Sequence, residues 1–187
     1  MSQLPERRLF VAIGGGWVEK RRQPERWVKF PRPLTAENWG VALIGHGPLE
    51  EEMGQHIEEA IASLKLLNLV GKLDFERMAG VVHHHALAVG NDTGPLHLAA
   101  LSGVPSLGLF NFSTSDSVNL RMPWFREFCA KDHVAKYQGK APMRALPVEP
   151  VARAFDVFAK EFLPQAFTWR STMPRFLDAR KFGGVSQ

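Results

Sequence analysis

The chain has 187 residues, of which 45% are hydrophobic and 22% charged, with a formal net charge of +4. These values are ordinary for a soluble globular protein that buries one full core. A run of about 18 or more apolar residues, which a membrane span needs, is missing, and so is a secretory signal at the start. We therefore expect a cytoplasmic protein with at most peripheral membrane association. The single cysteine, Cys129, excludes an internal disulfide and is predicted to be a small buried hydrophobe.

Basic residues are unevenly placed and form two clusters. The first lies between positions 20 and 32, and the second lies near the end of the chain, at Arg170, Arg175, Arg180 and Lys181. Such clusters occur as solvated faces, as nucleic-acid patches and as phosphate clamps. The clusters alone do not choose among these three.

The first elements alternate between strand and helix. Apolar runs at 9–13, closed by three glycines, and at 41–45 predict two buried strands. A helix is predicted from Pro48, because acidic residues at 50–52 suit the positive end of a helix dipole. Its apolar stripe recurs at spacings of three and four: Met53, Ile57, Ala60, Ile61 and Leu64.

The alternation continues to position 110. Further strands are predicted at 67–71, 86–90 and 104–110, with helices at 73–85 and 95–103 between them. The inner face of the helix at 73–85 is predicted to comprise Phe75, Met78, Ala79 and Val82. Strands that are apolar throughout indicate a parallel sheet covered on both faces. The predicted fold class is a single doubly wound, Rossmann-like α/β domain.

The remainder of the chain is less regular. Residues 111–149 are predicted to be mostly loop, and 149–163 a helix whose apolar side carries Val151, Phe155, Phe158 and Phe162. We assign 1–163 to one Rossmann-like domain and 164–187 to an aromatic, basic tail. Three roles remain open for the tail: covering an otherwise open face of the domain, forming an oligomer contact, or packing onto its own core.

The loop after the fourth predicted strand carries a compact polar group. It reads NDTGPLH, so Asp92 and Thr93 lie beyond the strand end, Gly94 opens the next helix and His97 lies one turn into it. Ligands of parallel sheets bind at this edge, and free N–H groups at a helix start attract anions. Gly94 permits close approach, and the Thr93 hydroxyl and a protonated His97 can donate to phosphate oxygens. The pattern predicts a diphosphate site.

A purely structural interpretation stands beside this one. Asp92 or Thr93 are residue types that cap helices, and His97 is then a hydrogen-bonded core residue. For any one of these residues taken alone, the structural interpretation is the stronger.

Taken together, residues 89–110 resemble the donor-binding motif of glycosyltransferase family 9, the lipopolysaccharide ADP-heptose heptosyltransferases. That motif consists of Asp-Ser/Thr-Gly-x-x-His, a helix of small residues, Gly-x-Pro and a strand. The segments VALIGHGPLEEEM, LNLVGKLDFERMAG and KRRQPERW are also similar to family segments. The resemblance covers roughly residues 9 to 163. It implies one half of a GT-B fold, the carboxy-terminal donor domain, so residues 1–163 are expected to form a nucleotide-sugar-binding domain, and the open face that the tail could cover is the side where the family has its acceptor domain.

The resemblance implies roles for particular residues. Asp92 would hold the sugar, Thr93 and Gly94 the diphosphate, and His97 a phosphate or a sugar hydroxyl. Glu50 would accept hydrogen bonds from the ribose, unless it only offsets the helix dipole. Lys20 or Arg21 would neutralise the diphosphate, although a solvated basic face remains an alternative and Gln23 replaces the usual tryptophan of the family. Helix dipole and cations together offset the phosphate charge, so no metal or other cofactor is expected.

From the resemblance we expect no counterpart here of the family's acceptor domain, with its general base, because the first donor-domain strand is predicted almost at the start of the sequence. The resemblance therefore leaves three alternatives: a fragment, a subunit completed by a partner chain or by a second copy, or a non-catalytic nucleotide-sugar-binding or interaction module. The partner expected in each case is a nucleoside-diphosphate sugar.

Other function classes fit less well. A dinucleotide fold needs a third glycine where Glu19 stands, and a P-loop needs Lys-Ser/Thr after its glycines. The consecutive residues His83, His84 and His85 point in different directions on a helix, so they are predicted to be a solvated helix end rather than a metal site. No nucleic acid is expected as a partner, since no recognised binding motif accompanies the basic clusters.

Overall fold

The computed structural model describes residues 7–16, 20–111, 120–133, 143 and 146–164. Within them a sheet of six strands runs in the order β3-β2-β1-β4-β5-β6, and every neighbouring pair is parallel. The strands are β1 (Arg8–Ala12), β2 (Gly40–Ile44), β3 (Leu66–Asn68), β4 (Leu87–Asn91), β5 (Ser106–Phe110) and β6 (Phe125–Cys129). The described helices are α1 (Pro24–Lys29), α2 (Pro31–Ala36), α3 (Pro48–Ile61), α4 (Phe75–Val82), α5 (Gly94–Leu101) and α6 (Val148–Phe162).

Both faces of the sheet are covered, which confirms the predicted doubly wound α/β class. Successive residues of β1 point to opposite faces, so Leu9 and Val11 enter one core cluster and Phe10 and Ala12 the other. The first cluster includes the buried side chains of α1, α2, α3 and α6, and the second those of α4 and α5. Among the described helices, none is long and apolar enough to cross a bilayer.

The strand order fixes where a ligand can bind. The chain moves from β1 towards β2 on one side and returns to place β4 on the other side of β1. Loops that leave two such neighbouring strands diverge and open a crevice at the carboxyl edge of the sheet. The loops that begin after Ala12 and after Asn91 border this crevice.

Helices α1 and α2 were not predicted, and they carry half of the first basic cluster, namely Arg26, Lys29 and Arg32. Both are short and begin with proline. Arg26 Nη1 donates to the Leu146 carbonyl at 2.7 Å and Arg22 Nη2 donates to the Pro147 carbonyl at 3.1 Å, which ties α1 to the chain just before α6. Burial, more than the neighbouring Arg26, lowers the pKa of Arg22 to about 10. This basic cluster is therefore partly a structural anchor.

Two predictions of apolar faces were wrong. Helix α3 ends at Ile61, because Ala62 adopts the left-handed conformation with φ 48° and the chain turns back towards β3. Leu64 therefore leaves the predicted stripe and is fully exposed. Phe75 is 68% exposed because the first turn of α4, capped by Asp74, lines a surface cleft rather than the core.

The region from 111 to 149 contains a strand that the sequence analysis missed. Strand β6 pairs with β5 at the sheet edge, and Arg126 and Glu127 on it are exposed, which hides the apolar pattern. Arg126 also pairs with Glu161 of α6. Cys129, at the end of β6, is buried as predicted. Helix α6 and its four buried apolar residues are confirmed, whereas the tail beyond Pro164 lies outside the described residues.

Candidate functional site

The Asp92 carboxylate joins two groups that were predicted to share a ligand. It lies just beyond β4, and its side chain is 4% exposed. Lys20 Nζ is 2.5 Å from Oδ2, and His97 Nε2 is 2.9 Å from Oδ1. About a third of each partner's side-chain surface is exposed to solvent: 33% for Lys20 and 28% for His97. His97 is therefore a rim residue of the crevice and not a core histidine.

The hydrogen bond from His97 is the main cause that lowers the pKa of Asp92. Burial opposes this effect, while the hydrogen bond and the positive charge of Lys20 add to it. The carboxylate is therefore ionised throughout the physiological range. An ionised carboxylate only accepts hydrogen bonds, and its remaining lone pairs are available to hydroxyl donors.

A lowered pKa makes the folding stability depend on pH in a defined direction. Above the ordinary value of 3.8 the stabilisation by this carboxylate is fully present, and it is lost as the pH falls through the lower folded-state pKa. We expect the free energy of unfolding to fall more steeply in the native chain than in Asp92→Asn between about pH 5 and about pH 2. Urea unfolding at a series of pH values measures this, and parallel curves for the two proteins would contradict it.

The start of α5 is open to the crevice. Thr93 occupies the N-cap position, but its side chain makes no capping bond and its hydroxyl donates to the Asn91 carbonyl at 3.2 Å. Gly94 is exposed, and a Cβ built on it would meet nothing within 4 Å. Pro95 has no N–H, so the backbone donors of the first turn are those of Gly94 and Leu96. Gly94 is exposed, whereas Leu96 is fully buried, so the open donor at this end of the helix dipole is the amide of Gly94.

The two candidate cations hold different positions. Lys20 contacts Asp92, whereas Arg21 Nε donates to the carbonyl of Gly15 at 2.7 Å. Arg21 thus lies along the loop after β1, and Lys20 lies at the centre of the cluster. The sequence left the choice between them open.

Glu50 lies at the same edge of the sheet, buried with 8% exposure. Its Oε1 accepts the amide of Gly15 at 3.0 Å, and its Oε2 accepts the amide of His46 at 2.8 Å. The carboxylate therefore bridges the loops after β1 and β2. Glu50 therefore does more than offset the dipole of α3, because each of its oxygens accepts a hydrogen bond from the backbone amide of a different loop.

A cleft of about 250 Å³ adjoins this edge. Its walls are largely apolar and come from the loop after β2, the beginning of α4 and the first turn of α5: Ile44, Gly45, His46, Leu73, Asp74, Phe75, Met78 and Pro95. Pro95 belongs both to the cleft and to the first turn of α5, so the cleft adjoins the helix start at exposed Gly94. The volume is slightly below that of a typical pocket for a whole drug-sized ligand, which suits one part of a larger ligand.

Two contacts were missed by sequence reasoning. The side chain of Asn91, fully buried, donates from Nδ2 to the carbonyls of Ile13 and Gly14 at 3.0 and 2.8 Å, which ties β4 to β1. Glu50 reaches Gly15 across 35 positions of sequence. A glycine after each of two neighbouring strands, with an acid in the first turn of the following helix, is the signal that could have revealed the second contact.

Among the described residues, no group of three His, Cys, Asp or Glu side chains could hold a metal ion. His85 is buried, and its Nδ1 lies 2.8 Å from the Val81 carbonyl, while His83 and His84 are exposed. The predicted solvated helix end is confirmed for His83 and His84 but is wrong for His85, whose ring packs edge-on against Phe10 in the core.

The family model of glycosyltransferase family 9 (heptosyltransferase) matches residues 5–130. This range includes Lys20, Glu50 and the whole of α5, and it covers more than half of the chain. The chain belongs to glycosyltransferase family 9. A comparison with curated proteins finds none that matches the chain in sequence.

Solved structures show the same fold. The family 9 glycosyltransferase from Veillonella parvula matches with a TM-score of 0.71 and 22% identity, over 82% of this chain and 46% of that one. ADP-heptose lps heptosyltransferase II of E. coli matches with a TM-score of 0.68 and 18% identity, over 84% and 47%. E. coli heptosyltransferase WaaC with ADP gives 0.69 and 18%, over 85% and 46%.

The chain therefore spans less than half the length of each of these family 9 structures. At these identities the likeness establishes the shared α/β architecture, GT-B-like in its family. What the chain binds and transfers has to be argued from its own side chains.

Proposed function

We propose that this family 9 domain binds a nucleoside-diphosphate sugar, of the ADP-heptose kind, as the donor for sugar transfer. The observation that carries the proposal is the cluster of Lys20, Asp92 and His97 at the open start of α5. A cation, an acceptor-only carboxylate and a rim imidazole stand together where a parallel sheet opens its crevice. Such a set offers separate partners to a phosphate and to a sugar.

The diphosphate is proposed to lie over the first turn of α5. The amide of exposed Gly94 would donate to its oxygens, and the space above Gly94 allows close approach. Lys20 would move from Asp92 towards the phosphates, with Arg21 nearby on the loop after β1. The helix dipole and these cations offset the negative charge, so we propose binding without a metal.

The sugar is proposed to contact Asp92. Its carboxylate retains lone pairs beyond the bonds to Lys20 and His97, and sugar hydroxyls are donors that suit them. His97 Nε2 can serve a phosphate or a sugar hydroxyl from the rim. The Thr93 hydroxyl, bonded to a carbonyl, turns towards the phosphates when a ligand is bound.

The nucleobase is proposed to occupy the 250 Å³ cleft that shares Pro95 with the helix start. Its apolar walls suit a flat aromatic ring, and exposed Phe75 at the rim can stack on it. The ribose would then pass near Gly45, which lines the cleft, and close to Glu50, its predicted contact. ADP in the related WaaC structure favours adenine as the base.

The reaction itself needs groups beyond this site. Transfer to an acceptor hydroxyl uses a general base, a contribution typically worth about 10²–10⁴ in rate. We propose that the base and the acceptor-binding surface come from outside the 187 residues, from a partner domain or a second copy. By analogy with the lps heptosyltransferase we propose a lipopolysaccharide precursor as acceptor and a cytoplasmic location, where nucleotide sugars are made.

Calorimetry with ADP, UDP and GDP tests donor binding directly. We expect ADP to bind most tightly, with Asp92→Asn leaving ADP binding in place but weakening binding of ADP-heptose. Transfer is then assayed with and without a candidate acceptor domain. Binding with no transfer in any combination favours the non-catalytic module, and no binding of any diphosphate contradicts both alternatives.

A further inference from the structure

The Glu50 carboxylate fastens two loops together at the edge of the sheet. One oxygen accepts the amide of Gly15, which follows β1, and the other accepts the amide of His46, which follows β2. Both contacts are to backbone, and Glu50 is 8% exposed. A buried carboxylate between two amide donors fixes the distance between the loops that carry them.

The glycines around Glu50 fit this arrangement closely. A Cβ built on Gly14 would lie 2.3 Å from Glu50 Oε2, and one built on Gly45 would lie 2.5 Å from the same oxygen. No side chain of any kind fits at either position while the carboxylate keeps its place. Both loops therefore approach the carboxylate more closely than any other residue type would allow.

The loop held by Glu50 is in contact with the proposed diphosphate site. The carbonyl of Gly15 accepts from Arg21, the residue after Lys20, at 2.7 Å. The carbonyl of Gly14 accepts from Asn91, the residue before Asp92, at 2.8 Å. The Gly14–Gly15 segment thus touches both chain segments that supply the central ion pair.

We propose that Glu50 is a positioning residue for the diphosphate, which it affects through the Gly14–Gly15 segment. This inference rests on the proposed function and goes beyond a contact with the ribose. A carboxylate that only contacts ribose leaves a ligand without ribose unaffected. A carboxylate that sets the loop changes the binding of phosphate groups whether or not a nucleoside is attached.

Inorganic pyrophosphate and ADP, titrated by calorimetry into the full chain, separate these two roles. In Glu50→Gln the side-chain amide must turn its NH₂ group towards one of two backbone N–H donors, which breaks one bond. We expect pyrophosphate binding to weaken by about tenfold and ADP binding by at least the same factor. The matched control, Glu52→Gln, removes an exposed charge from the same turn of α3 and should change neither.

Gly45→Ala supplies a second variant that keeps the carboxylate but displaces it. We expect the same loss of pyrophosphate binding, measured below the melting temperature of each variant. Independently of any ligand, the amide proton signals of Gly15 and His46 should shift upfield in Glu50→Gln, because a charged acceptor is lost.

The outcomes are distinct. A loss confined to ADP in Glu50→Gln identifies a ribose contact and overturns the positioning role. Unchanged amide signals overturn it even where ADP binds. Failure of the native chain to bind either ligand, with the amide shifts present, overturns the proposed function and with it any role of Glu50 towards a diphosphate.

Discussion

Lys20→Ala will weaken ADP binding by about 10- to 100-fold, the range expected when one charge-assisted hydrogen bond to a phosphate is lost. Lys20 is the cation at the centre of the site, because its Nζ contacts Asp92 while Arg21 is held along the neighbouring loop. Its exposed third allows the ammonium group to reach a ligand in the crevice.

The loss has a second source. Without Lys20 the Asp92 carboxylate, whose side chain is 4% exposed, keeps His97 as its described hydrogen-bond partner. Its negative charge then faces the diphosphate without the ammonium group between them. Like charges repel more strongly where water is excluded, so the diphosphate binds less tightly. Asp92→Asn in the Lys20→Ala background should therefore restore part of the ADP affinity.

Lys29→Ala is the matched control, since it removes one exposed positive charge from the last turn of α1, whereas the described partners of Asp92 are Lys20 and His97. Calorimetry at two salt concentrations distinguishes a local contact from general attraction, because salt screens exposed charges over about 10 Å at 0.1 M. Equal losses in Lys20→Ala and Lys29→Ala, both abolished by salt, would place Lys20 outside the phosphate site.

Local patterns in the sequence were enough to predict the parallel sheet. Strands β1, β2, β4 and β5 are buried along nearly their whole length, so an apolar run marks each of them without ambiguity. Strand β6 lies at the edge and presents Arg126 and Glu127 to solvent, so its pattern is that of a loop. An edge strand such as β6 forms because it pairs with its neighbour in the sheet, and its own residue composition does not reveal that pairing.

The site residues also fall into those that the sequence alone could bring together and those that only the fold could. Asp92, Thr93, Gly94 and His97 lie within one loop and one helical turn, so their proximity follows from local geometry. The choice between Lys20 and Arg21 depends on how α1 is anchored near α6, which a single sequence does not reveal. The double backbone contact of Glu50 also depends on the adjacency of β1 and β2, which only the fold provides.

Gly90→Ala will lower the free energy of unfolding by about 3 kcal/mol, at the upper end of the usual cost of overpacking a core. Gly90 pairs with Ala12 across the β1–β4 junction. A Cβ at Gly90 would lie 2.5 Å from Ala12 Cβ, 2.6 Å from its carbonyl oxygen and 3.0 Å from its Cα. Two of these atoms are backbone, so no rotamer change relieves the overlap and the strands must separate.

The strands would separate just where the crevice forms, since Asn91 and Asp92 follow Gly90 directly. For a chain of this size we expect the melting temperature to fall by about 6–12 °C, with ADP binding weakened as well. Gly80→Ala is the control, because Gly80 is exposed on α4 and a Cβ there meets nothing within 4 Å. That change should raise stability by about 0.5–1 kcal/mol through helix propensity. Melting temperatures that move in the same direction for both variants would mean that β1 and β4 do not approach as closely as the pairing of Ala12 with Gly90 requires.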